Sequence, residues 1–250
     1  MSEALPETTD EYMAWLRAHE AGYTPNSEVA AQTGNTTMKL LVGPSSTGKS
    51  TVIERVIAEQ PDAYGRVKSF TTRPKRTEDD PGLYLYLRHD VETLRSIADL
   101  VMQRELVQFA PHPTQEVVYG SMRSAYNKPN MMMDCLSSAV AGMQRIPFKQ
   151  VQVFGVVAEP EQWWQRFDAR YPEAEKPDER LKRAREAVQS TTWLLDNADS
   201  VIWVNSSEGT LGEATETVIQ SKSAFDGRNY ALGIAAVAGQ YITLKEGAAA

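Results

Sequence analysis

The stretch Met38-Lys39-Leu40-Leu41-Val42-Gly43-Pro44-Ser45-Ser46-Thr47-Gly48-Lys49-Ser50-Thr51 decides how the chain is read. Met38–Val42 is a short apolar strand, and a glycine-bounded loop follows it. A helical pattern then places Val52, Ile53, Val56 and Ile57 on one face. Gly43–Ser50 satisfies G-x-x-x-x-G-K-[ST] in the setting that this motif needs, after a strand and opening a helix. Gly43 and Gly48 permit a backbone that aims several N–H groups at one anion, and the helix N-terminus adds partial positive charge. Lys49 is placed to reach the β- and γ-phosphates of a nucleoside triphosphate, and the Ser50 hydroxyl to ligate Mg²⁺.

Outward from this loop, compact apolar runs alternate with helical patterns. Arg66–Phe70, Met131–Cys135, Val151–Val157 and Val201–Val204 read as strands. Asp90 caps a helix with Leu94, Ile97 and Val101 facing inward; Gln162–Tyr171 and Asp178–Leu195 read as further helices. The expected fold is α/β: a mainly parallel sheet with helices on both faces, and ligands at the carboxyl ends of the strands. Residues 1–37 read as an appendage in which Thr9 or Asp10 caps a helix with Tyr12, Met13 and Leu16 on one face. Residues 38–222 form the main domain, and 223–250 an extension. Within the extension, Tyr230–Leu244 is too short for a membrane span and reads as a packed strand or helix, or a loose tail.

The 250 residues suffice for one substantial domain. A net charge of −7 and a pI of about 5.1 disfavour a general nucleic-acid binder, whose footprint is basic. Cys135 is the only cysteine, so no intrachain disulfide forms, and a reducing, cytoplasmic setting is expected. The acidic start of the chain is unlike a signal peptide.

A second anion site is expected in Ser69-Phe70-Thr71-Thr72-Arg73-Pro74-Lys75-Arg76-Thr77-Glu78-Asp79-Asp80. Arg73 and Arg76 lie three residues apart beyond a predicted strand, so two planar guanidinium groups can converge on one phosphate. Taken together, GPSSTGKST, TTRPKR, VVYGS at Val117–Ser121, RFDARY and DERLKRAREAV make the chain resemble the guanylate kinase family from about Met38 to Lys222. The resemblance implies a three-layer P-loop kinase with an acceptor-binding insert over about 69–121 and a lid over about 166–183. It implies ATP with Mg²⁺ as donor, bound by Gly43, Pro44, Ser45, Ser46, Thr47, Gly48, Lys49, Ser50 and Thr51, with Asn205 beside the adenine. It assigns the acceptor phosphate to Ser69, Arg73, Arg76, Tyr119 and one of Tyr84 or Tyr86; an ungapped match would put Leu85 there. Arg166, Arg170 and Arg180 would meet the donor phosphates, whereas Lys182, Arg183 and Arg185 read as ion-paired helix surface. Partners are therefore small nucleotides.

The base-reading residues depart from the family. Gln108 stands where the family has a glutamate, and a carboxamide cannot accept both guanine protons as a carboxylate does. One acid, Asp134, remains at the strand end Met133-Asp134-Cys135-Leu136, to serve either the metal or the base. Ser121 and Asp79 are the remaining expected organisers of the acceptor site. The expected activity is phosphoryl transfer from ATP to GMP or a related monophosphate. The alternatives are a same-fold kinase for another nucleotide or sugar phosphate, and a non-catalytic phospho-ligand or protein-binding module.

Overall fold

The structure, a computed structural model, describes residues 6–75, 82–112 and 115–248. In chain order the elements begin with α1 (Thr9–Glu20), α2 (Ser27–Thr33), β1 (Thr37–Val42), α3 (Lys49–Glu59), β2 (Tyr64–Arg66), β3 (Ser69–Thr71) and β4 (Tyr84–Tyr86). They continue with α4 (Val91–Met102), β5 (Leu106–Pro111), β6 (Val118–Met122), β7 (Asn130–Asp134), α5 (Val140–Arg145) and β8 (Gln150–Val157). The last are α6 (Pro160–Arg170), α7 (Pro177–Asp196), β9 (Ile202–Asn205), α8 (Leu211–Gln220) and α9 (Arg228–Ala248). Among the described residues no helix is long and apolar enough to cross a membrane.

Two compact units divide the chain. One takes the residues up to Met38 with Gly65–Met131 and Ala141–Val151; the other takes Lys39–Tyr64, Met132–Val140 and Gln152 onward. The expected parallel sheet has five strands in the order β2-β7-β1-β8-β9. Five of the six β1 residues are buried, because helices cover both of its faces and leave no position for water. Leu41, Phe154, Val156 and Val204 from the strands pack with Val52, Ile53 and Val56 of α3 and Ala214 and Val218 of α8.

Lys39 interrupts that apolar pattern and is nevertheless 2% exposed. Its Nζ donates to the Val218 carbonyl at 2.8 Å and the Ser221 hydroxyl at 2.6 Å, so a cation closes the C-terminal end of α8. Burial pulls its pKa down to about 8 from the usual 10.5. Between these values the unfolded chain keeps a proton that the folded chain sheds, so stability rises with pH across that window. Urea unfolding from pH 7.5 to 10.5 should show this rise in the parent and a flatter profile in Lys39→Met. Parallel profiles for the two proteins would contradict it.

The other unit holds a four-stranded sheet in the order β4-β3-β6-β5. It is mixed: β3 runs parallel to β4 and antiparallel to β6, and β5 is antiparallel to β6. The single strand expected at Arg66–Phe70 is in fact two, β2 in the first sheet and β3 in the second, with the chain changing sheets at Val67–Lys68. No glycine or proline stands between Arg66 and Phe70 to mark that change. One face of the mixed sheet packs Phe70, Leu106, Phe109 and Val118 against Leu94, Ile97 and Val101 of α4 and Tyr12, Met13 and Leu16 of α1. The cap of α1 is Thr8, neither Thr9 nor Asp10. Its side chain accepts from Glu11 N while the Glu11 carboxylate accepts from the Thr8 amide.

Tyr230–Leu244 is helical, within α9. Its alanines favour a helix, and Ala231, Ile234, Ala238 and Tyr241 make a buried stripe at helical spacing. α9 packs along α7 and α6.

Candidate active site

The Gly43–Thr51 loop leaves β1 and ends as the first turn of α3. A Cβ on Gly43 would stand 2.2 Å from the Val156 carbonyl oxygen, so only glycine lets the loop pass β8. Gly48 is left-handed at φ 82° and caps α3, and Ser46 is also left-handed at φ 68°. Thr47 Oγ1 donates to the Pro44 carbonyl at 2.9 Å. The Ser46 hydroxyl is buried and has no hydrogen-bond partner among the described residues. An unsatisfied polar atom inside a glycine-bounded loop suits an anion that would supply the missing acceptor.

Lys49 is 8% exposed and donates to the Gly43 and Pro44 carbonyls, both at 2.7 Å. The Asp134 carboxylate lies 3.7 Å from its Nζ. Burial lowers the Lys49 pKa most; Asp134 opposes this, and the charges of Arg170 and Arg183 reinforce it. Asp134 is itself exposed, because it lies where β7 runs out. Its contact with Lys49 puts it beside the Gly43–Thr51 loop. Ser50 and Thr51 stand in the first turn of α3.

Four side chains far from the loop in sequence hold it in shape. The Trp163 indole donates to the Ser45 carbonyl at 2.8 Å, and the Tyr171 hydroxyl pairs with Ser45 Oγ at 2.9 Å. Ser206 Oγ donates to the Thr47 carbonyl, and Arg166 Nη1 donates to the Ser206 carbonyl at 2.9 Å. Asn205 shapes the turn after β9: its Oδ1 accepts from Ser207 N at 3.0 Å and its carbonyl from Thr210 at 2.9 Å. Of these, the sequence pointed to Arg166 and Asn205 alone.

Arg180 takes a different place from the one expected. Its Nη1 donates to Asp168 at 2.6 Å and to the Tyr171 carbonyl at 2.7 Å, and its Nε lies 3.3 Å from Glu173. Its guanidinium carbon lies 4.9, 5.4 and 5.0 Å from the ring centres of Trp164, Phe167 and Tyr241. With 4% exposure it is enclosed in the packing of α6, α7 and α9. Arg170 instead lies against the Tyr171 ring, at 5.6 Å.

The acceptor candidates gather on the mixed sheet. Ser69 pairs with Tyr84 and Thr71 with Tyr86; Thr71 also pairs with Tyr119, and Gln108 with Ser121. Paired residues share a face, so these side chains stand opposite the face that packs on α1 and α4. Arg73 is 6% exposed; its Nε donates to the Tyr119 hydroxyl at 3.1 Å and its Nη1 to the Pro74 carbonyl at 2.9 Å. The guanidinium lies 5.3 Å from the Tyr84 ring and 5.7 Å from the Tyr86 ring. Both tyrosines therefore serve the arginine, and Leu85, on the other face, is 53% exposed. Ser121 is fully buried and pairs with the Tyr126 hydroxyl at 2.8 Å. A Cβ on Gly120 would stand 2.3 Å from Phe70 Cζ, so its lack of a side chain makes room for that ring. Arg76 and Asp79 lie outside the described residues.

The guanylate kinase family model matches residues 35–220, well over half of the chain. The chain belongs to the guanylate kinase family. Solved structures that resemble it include a guanylate kinase from Anaplasma phagocytophilum, 13% identical over 74% of this chain and 82% of that one, with a TM-score of 0.44. No curated protein matches. The Gly43–Ser50 loop carries every residue of its motif, and Arg73 has a built surrounding. Tyr171, Trp163 and Ser206 escaped sequence reading because each acts through a contact distant in the chain. The Val-Asn-Ser-Ser step at the end of β9 was the one local signal available for Ser206.

Proposed function

We propose that the chain is an ATP-dependent nucleoside monophosphate kinase of guanylate kinase type. It passes the γ-phosphoryl group of ATP to the phosphate of GMP or a related acceptor. The observation that carries this reading is Arg73, a buried guanidinium bonded to Tyr119 and flanked by two tyrosine rings, in a chain with an intact triphosphate loop. A cation held so firmly is preorganised for a dianion and loses little entropy on binding one.

An acceptor phosphate oxygen attacks the γ-phosphorus, the bond from that phosphorus to the β–γ bridging oxygen breaks, and ADP leaves. Lys49 neutralises charge on the donor phosphates, Arg166 and Arg170 add to it, and Arg73 holds the acceptor phosphate. The Ser50 hydroxyl and the Asp134 carboxylate are hard oxygen donors that fit Mg²⁺, and neither could hold the ion without phosphate oxygens. Bound Mg²⁺ supplies charge neutralisation on the triphosphate. Gln108 favours an acceptor other than guanine, since its amide offers one donor group and one acceptor group.

ADP release should be measured with GMP, dGMP, AMP, CMP, UMP and ribose phosphates, beside calorimetric titration of ATP. Turnover with at least one monophosphate supports the kinase. ATP binding without any turnover would replace it with a non-catalytic nucleotide-binding module, and strict use of GMP would remove the weight placed on Gln108.

A further inference from the structure

We propose that Arg183, oriented by Tyr171, is the α7 arginine that meets the donor phosphates, and that Arg180 serves as the fixed point that sets the rotation of α7. This rests on the kinase reading above and names residues for which neither the motif nor the family resemblance provided that role.

Arg180 is committed to its surroundings, although its Nε, like that of Arg183, is buried without a hydrogen bond among the described residues. Two carboxylates, a carbonyl and three aromatic rings engage it, and it is almost wholly enclosed. Withdrawing it would leave Asp168 without its cation and open a gap among the rings. Arg183 follows three residues later, on the neighbouring ridge of the same helix. Its side chain is 17% exposed, with Nη1 at 2.7 Å from Glu186 and Nη2 at 3.5 Å from Glu179. Its Nε is buried and without a hydrogen-bond partner among the described residues. An ordinary surface ion pair would leave that N–H in water; here it is desolvated and unsatisfied.

Tyr171 links this arginine to the loop. Its ring centre is 6.0 Å from the Arg183 guanidinium and 5.6 Å from that of Arg170, while its hydroxyl pairs with Ser45 in the triphosphate loop. One side chain thus ranges two cations beside the segment expected to hold an anion. Both charges act on Lys49, and gathering positive charge about a buried lysine is unfavourable unless an anion occupies the loop. Arg180 fixes how α7 is turned, and Tyr171 fixes where Arg183 points.

Arg183→Gln, Arg183→Lys, Arg180→Gln, Tyr171→Phe and Tyr171→Leu, with the parent, should be compared by calorimetric affinity for ATP, by turnover with the best acceptor, and by thermal midpoint. Arg183→Gln is expected to keep its midpoint and weaken ATP binding about tenfold or more, the loss of one charge-assisted hydrogen bond. Arg183→Lys should recover part of that loss. Tyr171→Phe, which keeps the ring, should bind ATP better than Tyr171→Leu. Arg180→Gln should chiefly lower the midpoint. The proposal is overturned if both Arg183 variants bind ATP within about twofold of the parent. It is equally overturned if Arg180→Gln loses ATP affinity at an unchanged midpoint. ATP binding by a parent that turns over no acceptor defeats the kinase reading and leaves the affinity comparison decisive for Arg183. A parent that binds no ATP defeats both.

Discussion

Lys49→Met should lower phosphoryl transfer by about 10²- to 10³-fold, the usual cost of removing one preorganised charge from a transition state. The fold should survive the change. Lys49 already sits in surroundings that disfavour its charge, and methionine is of similar length and needs no solvation. The loss at the Gly43 and Pro44 carbonyls, which give up their donor, is local to the loop. ATP affinity should fall together with turnover, because the lysine binds the ground-state phosphates as well. Single-turnover transfer of the γ-phosphoryl group, measured beside thermal unfolding, separates these effects. A methionine variant that transfers at the parental rate would exclude Lys49 from the chemistry.

Arg73→Lys should reduce kcat/KM for the acceptor by about 10²-fold while leaving ATP affinity unchanged. Lysine preserves the charge, so the size of the effect measures geometry. The Arg73 Nε bonds Tyr119 while the guanidinium plane lies against Tyr84 and Tyr86, which leaves its remaining N–H groups directed by a rigid plane. An ammonium offers neither the plane nor the fork. The loss should appear mainly as a raised acceptor KM, since the arginine holds the acceptor phosphate before and during transfer. A lysine variant with parental acceptor kinetics would make Arg73 a packing group only.

What could be read from the chain alone follows the range of the interactions involved. The strand, glycine loop and helix around Lys49 were legible because they lie within the twenty residues Met38–Ile57 and determine one another. The α4 face of Leu94, Ile97 and Val101, and the α1 face of Tyr12, Met13 and Leu16, were legible as helical spacing. The choice between Tyr84 and Tyr86 dissolves once β4 is seen as a strand: alternation puts both rings on one face and Leu85 on the other. The need for glycine at position 120 was not legible because the Phe70 ring that demands it lies across the sheet, fifty residues earlier. The enclosure of Arg180 was not legible because one wall of it comes from Tyr241, and no local pattern joins the two. The ion pairs expected of Arg183 are present, to Glu179 and Glu186, but the burial of its side chain was not legible.

The helix α9 bears on what counts as the domain. Similarity to the family ends at residue 220, yet the packing continues beyond it. Gly227 lies so close beneath Trp203 that a Cβ would fall 2.3 Å from its ring, and Gly233 is equally tight on Pro160. Tyr241 and Lys245 both bind Glu173, in the turn between α6 and α7. The length of chain shared with relatives is therefore shorter than the length that coheres. A fragment cut to the family's limits would expose Trp164 and strip one ring from Arg180, so the part most easily trimmed by comparison is one of the walls of the machine.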